Sequence, residues 1–510
     1  MPRSLLQRLG LAGGECDARL VWGLLLACLT LYALGYAAFY PRVLTNTDEV
    51  EYLEETRALL ETGSVVVPKE DPRTGLMRKT VPGDYPVGMV ALMAPFVATL
   101  GWRGAFLASF LALLVAVLAT ARWLQQEKRS PIFALILLGF PALLVVGRLA
   151  LSDGARTAVA AVGLLLFFRG LDRERARSWL ASGFVAGAAL SLRESAVLPF
   201  IPLFVGSVLR RDRGWGWLLL GGLAGTALHG LSNAFVFGDA MFVRGERFYP
   251  FAPETLLERL PLYLFGLLVL VPGGLALGLA YRGRRRQELL ATIVLIFLFY
   301  LFQAFGNVES GFAKRLVIAL RYFAPLLPVL AFTMSESMPR LLGAALTRVQ
   351  DAAQLQRWAG AAVLLWIGGV ALACFVVHPV MHRWNATQAR LRDAIEQHVP
   401  KDAVLVANRE ALDKFVNGYE RPFLTLNRHE LEPGDLEAVR ARHGSFWIAL
   451  LDRSDSDFWR RDAAENASFL GTLAWPLEPV SDLAVTSTDR LRIWRAPGPA
   501  SAEGAQDGRP

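Results

Sequence analysis

"LVWGLLLACLTLYALGYAAFY", residues 20–40, runs for 21 residues without a charged side chain. An α-helix rises ~1.5 Å per residue, so such a run reaches across the ~30 Å apolar core of a bilayer. A backbone in that environment has no water to bond, so it must satisfy its own N–H and C=O groups as a helix or a closed barrel. Runs of this kind recur over the first three quarters of the chain, and nothing else in the sequence limits the fold as strongly. The composition agrees: of 510 residues, 54% are hydrophobic and only 19% charged. A soluble chain would carry roughly 25% charged residues. The expected fold is a polytopic α-helical membrane protein.

Apolar segments fall at 20–40, 86–100, 103–124, 131–148, 155–170, 178–192, 195–209, 214–234, 257–281, 289–306, 316–335 and 357–379. The connectors "ARWLQQEKRS", "FRGLDRERARS", "LRRDRG", "YRGRRRQE" and the stretch from Arg340 to Arg357 are basic. Basic connectors stay on the cytoplasmic side, and Arg3 and Arg8 place the N-terminus there as well. If 86–100 crossed completely, the later basic connectors would land outside. At about 15 residues, or ~22 Å of helix, it falls short of the apolar core. It is therefore expected to be re-entrant or interfacial. About eleven spans remain, with the C-terminus outside. The outer side then receives loop 41–85, the turns around Asp153 and Arg193, loops 235–256 and 307–315, and everything after His378.

These connectors account for the net charge of +8, which therefore does not imply nucleic acid. Cys16, Cys28 and Cys374 give neither a disulfide framework nor a CxxC pair. The basic-then-apolar N-terminus resembles a signal anchor. Richness in Ala, Gly, Arg and Leu fits a bacterial cytoplasmic membrane.

After the last apolar segment the pattern changes. "DAVLVAN", "SFWIALLD" and "RLRIWRA" read as strands and "ELEPGDLEAVRARHG" as a helix. The expected organisation is a transmembrane module over 1–384, with 41–85 as its first extracytoplasmic loop. A small extracytoplasmic α/β domain over 385–497 and a disordered tail over 498–510 follow. No internal repeat is visible.

The loop after the first span opens with "NTDEVEYLEETRALLETG", Asn46 to Gly63. Helix chemistry accounts for its acids. Asn46 as N-cap and Glu49 three residues on form a capping box. Asp48 and Glu49 in the first turn complement the helix dipole, and Gly63 suits the stop. Val50, Leu53 and Leu60 then share a face, and Glu51, Glu54, Glu55 and Glu61 form a solvated one. Asp153, in "RLALSDGARTA", is a second acid on the outer side, and capping the following helix would explain it.

Taken with "YPVGMVALMAPF", "LSDGARTA", "GAALSLRESAVLPF" and "RYFAPLLPVLAF", the acidic stretch resembles the GT-C superfamily of membrane glycosyltransferases. Within it the sequence is most similar to bacterial relatives of the protein O-mannosyltransferases and lipid A aminoarabinose transferases. The resemblance runs from about Val21 to Met334. It implies an inverting hexosyl- or pentosyltransferase that moves a sugar from a polyprenyl-phosphate donor to an acceptor hydroxyl. Asp48 maps onto the general base, and Asp153 onto the acid of the second outer loop. Glu49, Tyr52, Arg78, Lys79, Tyr85, Arg193 and Arg321 are the implied substrate-binding set. One departure is plain: "DYPVG" stands where many relatives carry a Lys-Pro-Pro-Leu type sequence, so Arg78 or Lys79 would have to supply the missing cation. "SVVVPKEDPRTGLMRKTVP" reads as an additional hairpin.

The chemistry suits the composition. No Gly-rich phosphate loop is present, and no nucleotide is needed if the donor is a lipid-linked sugar. A carboxylate takes the acceptor proton, and cations stabilise the departing phosphate. Arg193 lies between short half-spans, a costly place for a charge unless Glu194 neutralises it or substrate uses it. Arg321 opens the "RYFAPLLP" segment, where snorkelling to the interface is the alternative reading. Arg244, Arg247, Lys314 and Arg315 read as loop charges, and His229 and His378 as interface residues. Asp48 and Asp153 together would suit a divalent metal, as in the oligosaccharyltransferase branch, but the mannosyl and aminoarabinose branches favour none. No cofactor is expected. The expected partners are a polyprenyl-phosphate sugar, a glycan, lipid or protein acceptor, and the bilayer. The competing function is a lipid-linked sugar transporter or flippase, for which Arg193 and Glu194 are the main support.

Overall fold

The computed structural model describes residues 4–12, 16–45, 47–65, 68–70, 77–79, 85–238, 240, 253, 256–303, 319–348, 351–408, 423–426, 433–454 and 457–498. Contacts divide the chain into two units. Met1–Pro41, Glu55–Val65 and Pro82–Met381 form the first; Arg42–Glu54, Val66–Val81 and His382–Pro510 form the second.

The first long apolar run is helix α1, Ala18–Ala38. Asp17 starts it by accepting the Leu20 N–H at 3.2 Å, and Arg8 holds the same carboxylate at 3.0 Å. Helix α2, Thr47–Thr62, ends at Gly63, whose φ of +72° only glycine adopts without strain. Strands β1, Pro68–Glu70, and β2, Met77–Lys79, pair antiparallel where the sequence suggests a hairpin. Helix α3, Gly88–Leu100, has 13 residues, too few to cross an apolar core of ~30 Å alone. Helix α4 follows at Ala105–Gln126.

The segment 131–148 is not one helix, as the sequence reading expects. It breaks into a 3-10 turn at Pro131–Ala134, a single turn at Leu135–Leu138 and helix α5, Pro141–Val146. Pro141 has no N–H to continue the ladder and disfavours helical geometry in the residue before it, so the chain restarts there.

Helices α6, Ser152–Arg173, α7, Ala176–Ala188, α8, Ile201–Leu209, and α9, Trp215–Phe237, complete the middle of this unit. Helices α7 and α9 approach through glycine. A Cβ at Gly183 or Gly187 of α7, or at Gly221 or Gly225 of α9, would overlap a backbone carbonyl of the facing helix. The segment 257–281 is also interrupted: helix α10, Leu256–Phe265, carries Pro261, and a π-turn at Gly266–Leu270 follows. Helix α11, Arg286–Phe302, and helix α12, Leu327–Leu346, are the next long elements; a 3-10 turn, Arg321–Leu326, leads into α12. The last apolar segment is part of helix α13, Ala352–His398, which has 47 residues.

Among the described residues, five helical stretches are long and apolar enough to cross a membrane: Ala18–Ala38, Trp102–Gln126, Ser152–Arg173, Trp215–Phe237 and Ala352–His398. Two residues read as surface groups are buried instead. Glu55 on α2 is 2% exposed and His378 on α13 is fully buried. Helical spacing marks a face but not which neighbours will cover it.

In the second unit, strands β3, Leu405–Ala407, and β4, Phe423–Thr425, precede helix α14, Pro433–His443. Strand β5, Phe446–Arg453, helix α15, Asp457–Gly471, and strands β6, Glu478–Ala484, and β7, Asp489–Ala496, follow. The sheet order is β4-β3-β5-β7-β6, with β3 parallel to β4 and β5, and β7 antiparallel to β5 and β6. Both faces are covered. Leu391 and Ile395 of α13 pack on one with Leu405, Leu451 and Ile493. Leu436 and Val439 of α14 pack on the other with Val406, Ile448 and Leu450. Asn408 extends the β3–β5 ladder with its side chain, donating to Leu451 O and accepting from Leu451 N, each at 3.0 Å.

Candidate active site

Asp153 lies in the first turn of α6. The turn before it is pinned by Ser109 of α4, whose hydroxyl donates to Leu151 O at 2.8 Å and accepts from Leu151 N at 3.2 Å. Leu151 is the N-cap, and no side chain caps the helix, so capping does not explain Asp153. Its carboxylate instead receives the guanidinium of Arg156, one turn along, and Arg321 Nε stands 3.9 Å from its other oxygen. All three side chains are buried. An acid at a helix start also sits favourably in the helix dipole.

Arg156 reaches further than this pair. Its other terminal nitrogen donates to Ser195 Oγ at 3.2 Å and to Tyr300 Oη at 3.3 Å, and Tyr300 Oη donates to Ser195 Oγ at 3.0 Å. Arg321 donates to Tyr322 Oη at 3.3 Å. The Tyr300 and Tyr322 rings stack with centroids 5.5 Å apart. Arg193 and Arg321 place their guanidinium carbons 5.6 and 5.1 Å from the Tyr322 ring centre, within cation–π range. The result is one carboxylate, three arginines and two tyrosines gathered from α6, the turn before α8, α11 and the turn before α12. Guanidinium groups fixed in this way suit an anion such as a phosphate ester.

The 3-10 turn Ala189–Ser191, which follows α7, ends in Ser191, whose Oγ lies 3.3 Å from His229 Nδ1 on α9. Asn233 Nδ2 lies 3.2 Å from His229 Nε2. An amide nitrogen can only donate, so Nε2 accepts and Nδ1–H donates to Ser191. His229, read as an interface residue, is bonded into the protein.

The structure therefore brings together Asp153, Arg193 and Arg321 of the expected set. Tyr85 is buried in the first unit at 4% exposure. Asp48, Glu49 and Tyr52 belong to the second unit. Glu49 is fully buried and accepts from the Thr45 N–H at 2.7 Å and the Thr45 hydroxyl at 3.0 Å. It thus closes on Thr45, one residue earlier than the expected capping box; Asn46 lies outside the described residues. Tyr52 is 1% exposed. The side chains of Arg78 and Lys79 lie outside the described residues, as do Arg244, Arg247, Lys314 and Arg315. Among the described residues, no group of three or more His, Cys, Asp or Glu is arranged to hold a metal ion.

Sequence reasoning passed over Arg156, Ser195, Tyr300 and Tyr322. Arg156 had a signal, an acid–arginine pair at i,i+3. Ser195 and Tyr322 each adjoin or nearly adjoin a singled-out arginine. Tyr300 sits in an apolar run and had none.

Residues 89–219 match the family model described as dolichyl-phosphate-mannose-protein mannosyltransferase. Among solved structures, the chain is similar to ArnT from Cupriavidus metallidurans bound to undecaprenyl phosphate. That similarity has a TM-score of 0.61 at 15% identity, over 94% of this chain and 98% of that one. The same protein in its apo state gives a TM-score of 0.61 at 16% identity, again over 94% and 98%. The oligosaccharyltransferase of Archaeoglobus fulgidus, tethered to an acceptor peptide, gives 0.44 at 10% identity over 88% of this chain and 68% of that one. No curated protein sequence matches the chain. The apolar helices and the ArnT fold make it a polytopic membrane protein.

Proposed function

We propose, for a chain with the fold of GT-C membrane glycosyltransferases, that it moves a sugar from a polyprenyl-phosphate donor to an acceptor hydroxyl with inversion. The acceptor hydroxyl belongs to a glycan, a lipid or a protein, and the reaction takes place at the outer face of a bacterial cytoplasmic membrane. The observation that carries the reading is the Asp153 carboxylate set between Arg156 and Arg321, on an ArnT-like fold. ArnT itself was solved with undecaprenyl phosphate bound.

In this reading the acceptor oxygen attacks the anomeric carbon, and the bond to the phosphate oxygen breaks with its electron pair leaving on phosphate. Asp48 is assigned, on the family resemblance, to take the hydroxyl proton. Arg193 and Arg321 neutralise the charge that grows on the leaving phosphate. Asp153 orients the guanidiniums of Arg156 and Arg321, so that little reorganisation is needed as that charge appears. The stacked Tyr300 and Tyr322 hold the arginines and shield them from water.

The test uses the purified chain in vesicles loaded with radiolabelled polyprenyl-phosphate sugars, with the acceptor taken from lipid extracts of a deletion strain. Wild type transfers label, while Asp48→Asn and Asp153→Asn insert into the membrane normally and do not. Near wild-type transfer by Asp48→Asn would remove Asp48 as the base. Counterflow of intact lipid-linked sugar without transfer would replace the enzyme reading with a flippase.

A further inference from the structure

Arg148 lies on the connection between α5 and α6, just ahead of the turn that presents Asp153. It is 1% exposed. One terminal nitrogen meets Nδ1 of His378 on α13, and the other donates to the carbonyl oxygen of Phe39, the C-cap of α1, at 2.6 Å. The chain leaves the first unit for the second after Pro41, after Val65 and after Met381. A single guanidinium therefore grips two chain segments just before they depart and fastens both to the Asp153 turn.

Neither of these partners is a carboxylate. A charge in an apolar interior with neutral partners is costly, and an aliphatic side chain would pack there at less expense. What arginine supplies is a planar fork that fixes two acceptors at a set angle. A guanidinium has donors only, so His378 Nδ1 must accept and its proton sits on Nε2.

Neighbouring residues are shaped to this contact. At Gly35 on α1 a Cβ would overlap the His378 ring. The rings of Tyr32 and Tyr36 stand 4.6 and 6.2 Å from it. Tyr32 Oη donates to Leu144 O of α5 at 3.0 Å, which ties α1 to α5 as well.

We infer that Arg148 is a positioning residue: with His378 it fixes the ends of α1 and α13 to the turn that carries Asp153. The inference rests on the glycosyl-transfer reading for its catalytic consequence, and on geometry alone for the clamp.

The experiment compares wild type, Arg148→Met, Arg148→Lys and Gly35→Ala in two assays, sugar-transfer kinetics and amide hydrogen exchange. Arg148→Met is expected to lower kcat by roughly 10- to 100-fold, the scale of a misplacement near 1 Å, with the donor KM within about three-fold of wild type. Exchange should rise at 37–41, 149–155 and 376–381 and not elsewhere. Arg148→Lys, which reaches one acceptor but not both, recovers part of kcat. Gly35→Ala, which only crowds the His378 ring, gives the same pattern more weakly and guards against a fold too damaged to read. Wild-type kcat and exchange in Arg148→Met overturn the inference, as does a uniform rise in exchange over the whole protein. Absence of transfer by wild type would sink the function reading, while exchange confined to these three segments would still uphold the clamp.

Discussion

Arg156 sits one helical turn beyond Asp153 on α6 and closes on its carboxylate, with the two side chains 0% and 3% exposed. A buried pair behaves differently from a surface one. Deleting one member strands the other's charge, whereas deleting both does not. Asp153→Leu should therefore destabilise the detergent-solubilised protein by about 3–5 kcal/mol. The double variant Asp153→Leu/Arg156→Met should regain part of that loss, because Arg321 also faces Asp153, while remaining inactive. Denaturant or thermal unfolding of the four proteins in the cycle measures the coupling. A coupling below about 0.5 kcal/mol would show the two sites to be independent.

Glycine makes the α7–α9 contact, and its effect can be separated from helix propensity on one helix. Gly225→Ala places a methyl against the Phe184 carbonyl, and about 1–3 kcal/mol of stability should be lost through overpacking. Gly216 is on the same helix with nothing near its missing Cβ. Gly216→Ala should be neutral or stabilising by up to ~1 kcal/mol. Melting temperatures in one detergent compare the two directly.

Glu127 follows α4 immediately, and burial first, then the neighbouring Asp172, pushes its carboxyl up from 4.5 to about 7. The folded state therefore holds a proton that the unfolded chain has released. The contribution of this group to stability is present below pH 4.5, falls as pH rises towards about 7, and then levels. Glu127→Gln should give a flatter stability profile across that window and a higher melting temperature than wild type at about pH 8. A profile parallel to wild type would remove Glu127 as the source.

Asn408 satisfies both the N–H and the C=O of Leu451. Asn408→Leu keeps the branched shape of the side chain and strands two buried backbone groups, at about 1–3 kcal/mol for each. Asn408→Asp keeps one of the two bonds and should fall between. Hydrogen exchange at 404–408 and 446–453 would report the loss within the sheet.

Much of the fold follows from local pattern. The runs around Val21, Leu113, Val159 and Leu223 are helices because apolar length admits little else. The alternation in "RLRIWRA" became β7. The breaks were harder to read, because a Pro such as Pro141 in an apolar run fits either a kinked span or two short helices, and packing decides between them.

The site divides in the same way. Asp153, Arg193 and Arg321 stood out because a charge beside an apolar run is expensive and draws notice. Tyr300 lies 144 residues from Arg156 in the chain yet shares a hydrogen bond with it. Nothing local in the sequence encodes that contact. Glu55 and His378 show the complementary failure: helical periodicity places a side chain on a face but cannot say whether another element will cover it.

By itself the sequence determined that this chain enters a membrane, that its long apolar runs are helical and that Asp153, Arg193 and Arg321 are charges set beside such runs, since those follow from solvent and local geometry. Only the tertiary structure decided that Asp153 faces Arg156 and Arg321, that Arg148 closes on His378, and that α7 and α9 meet through glycine. Each of those is a contact between distant positions, and close packing of the whole chain, not any short stretch of it, fixes which side chains come within reach.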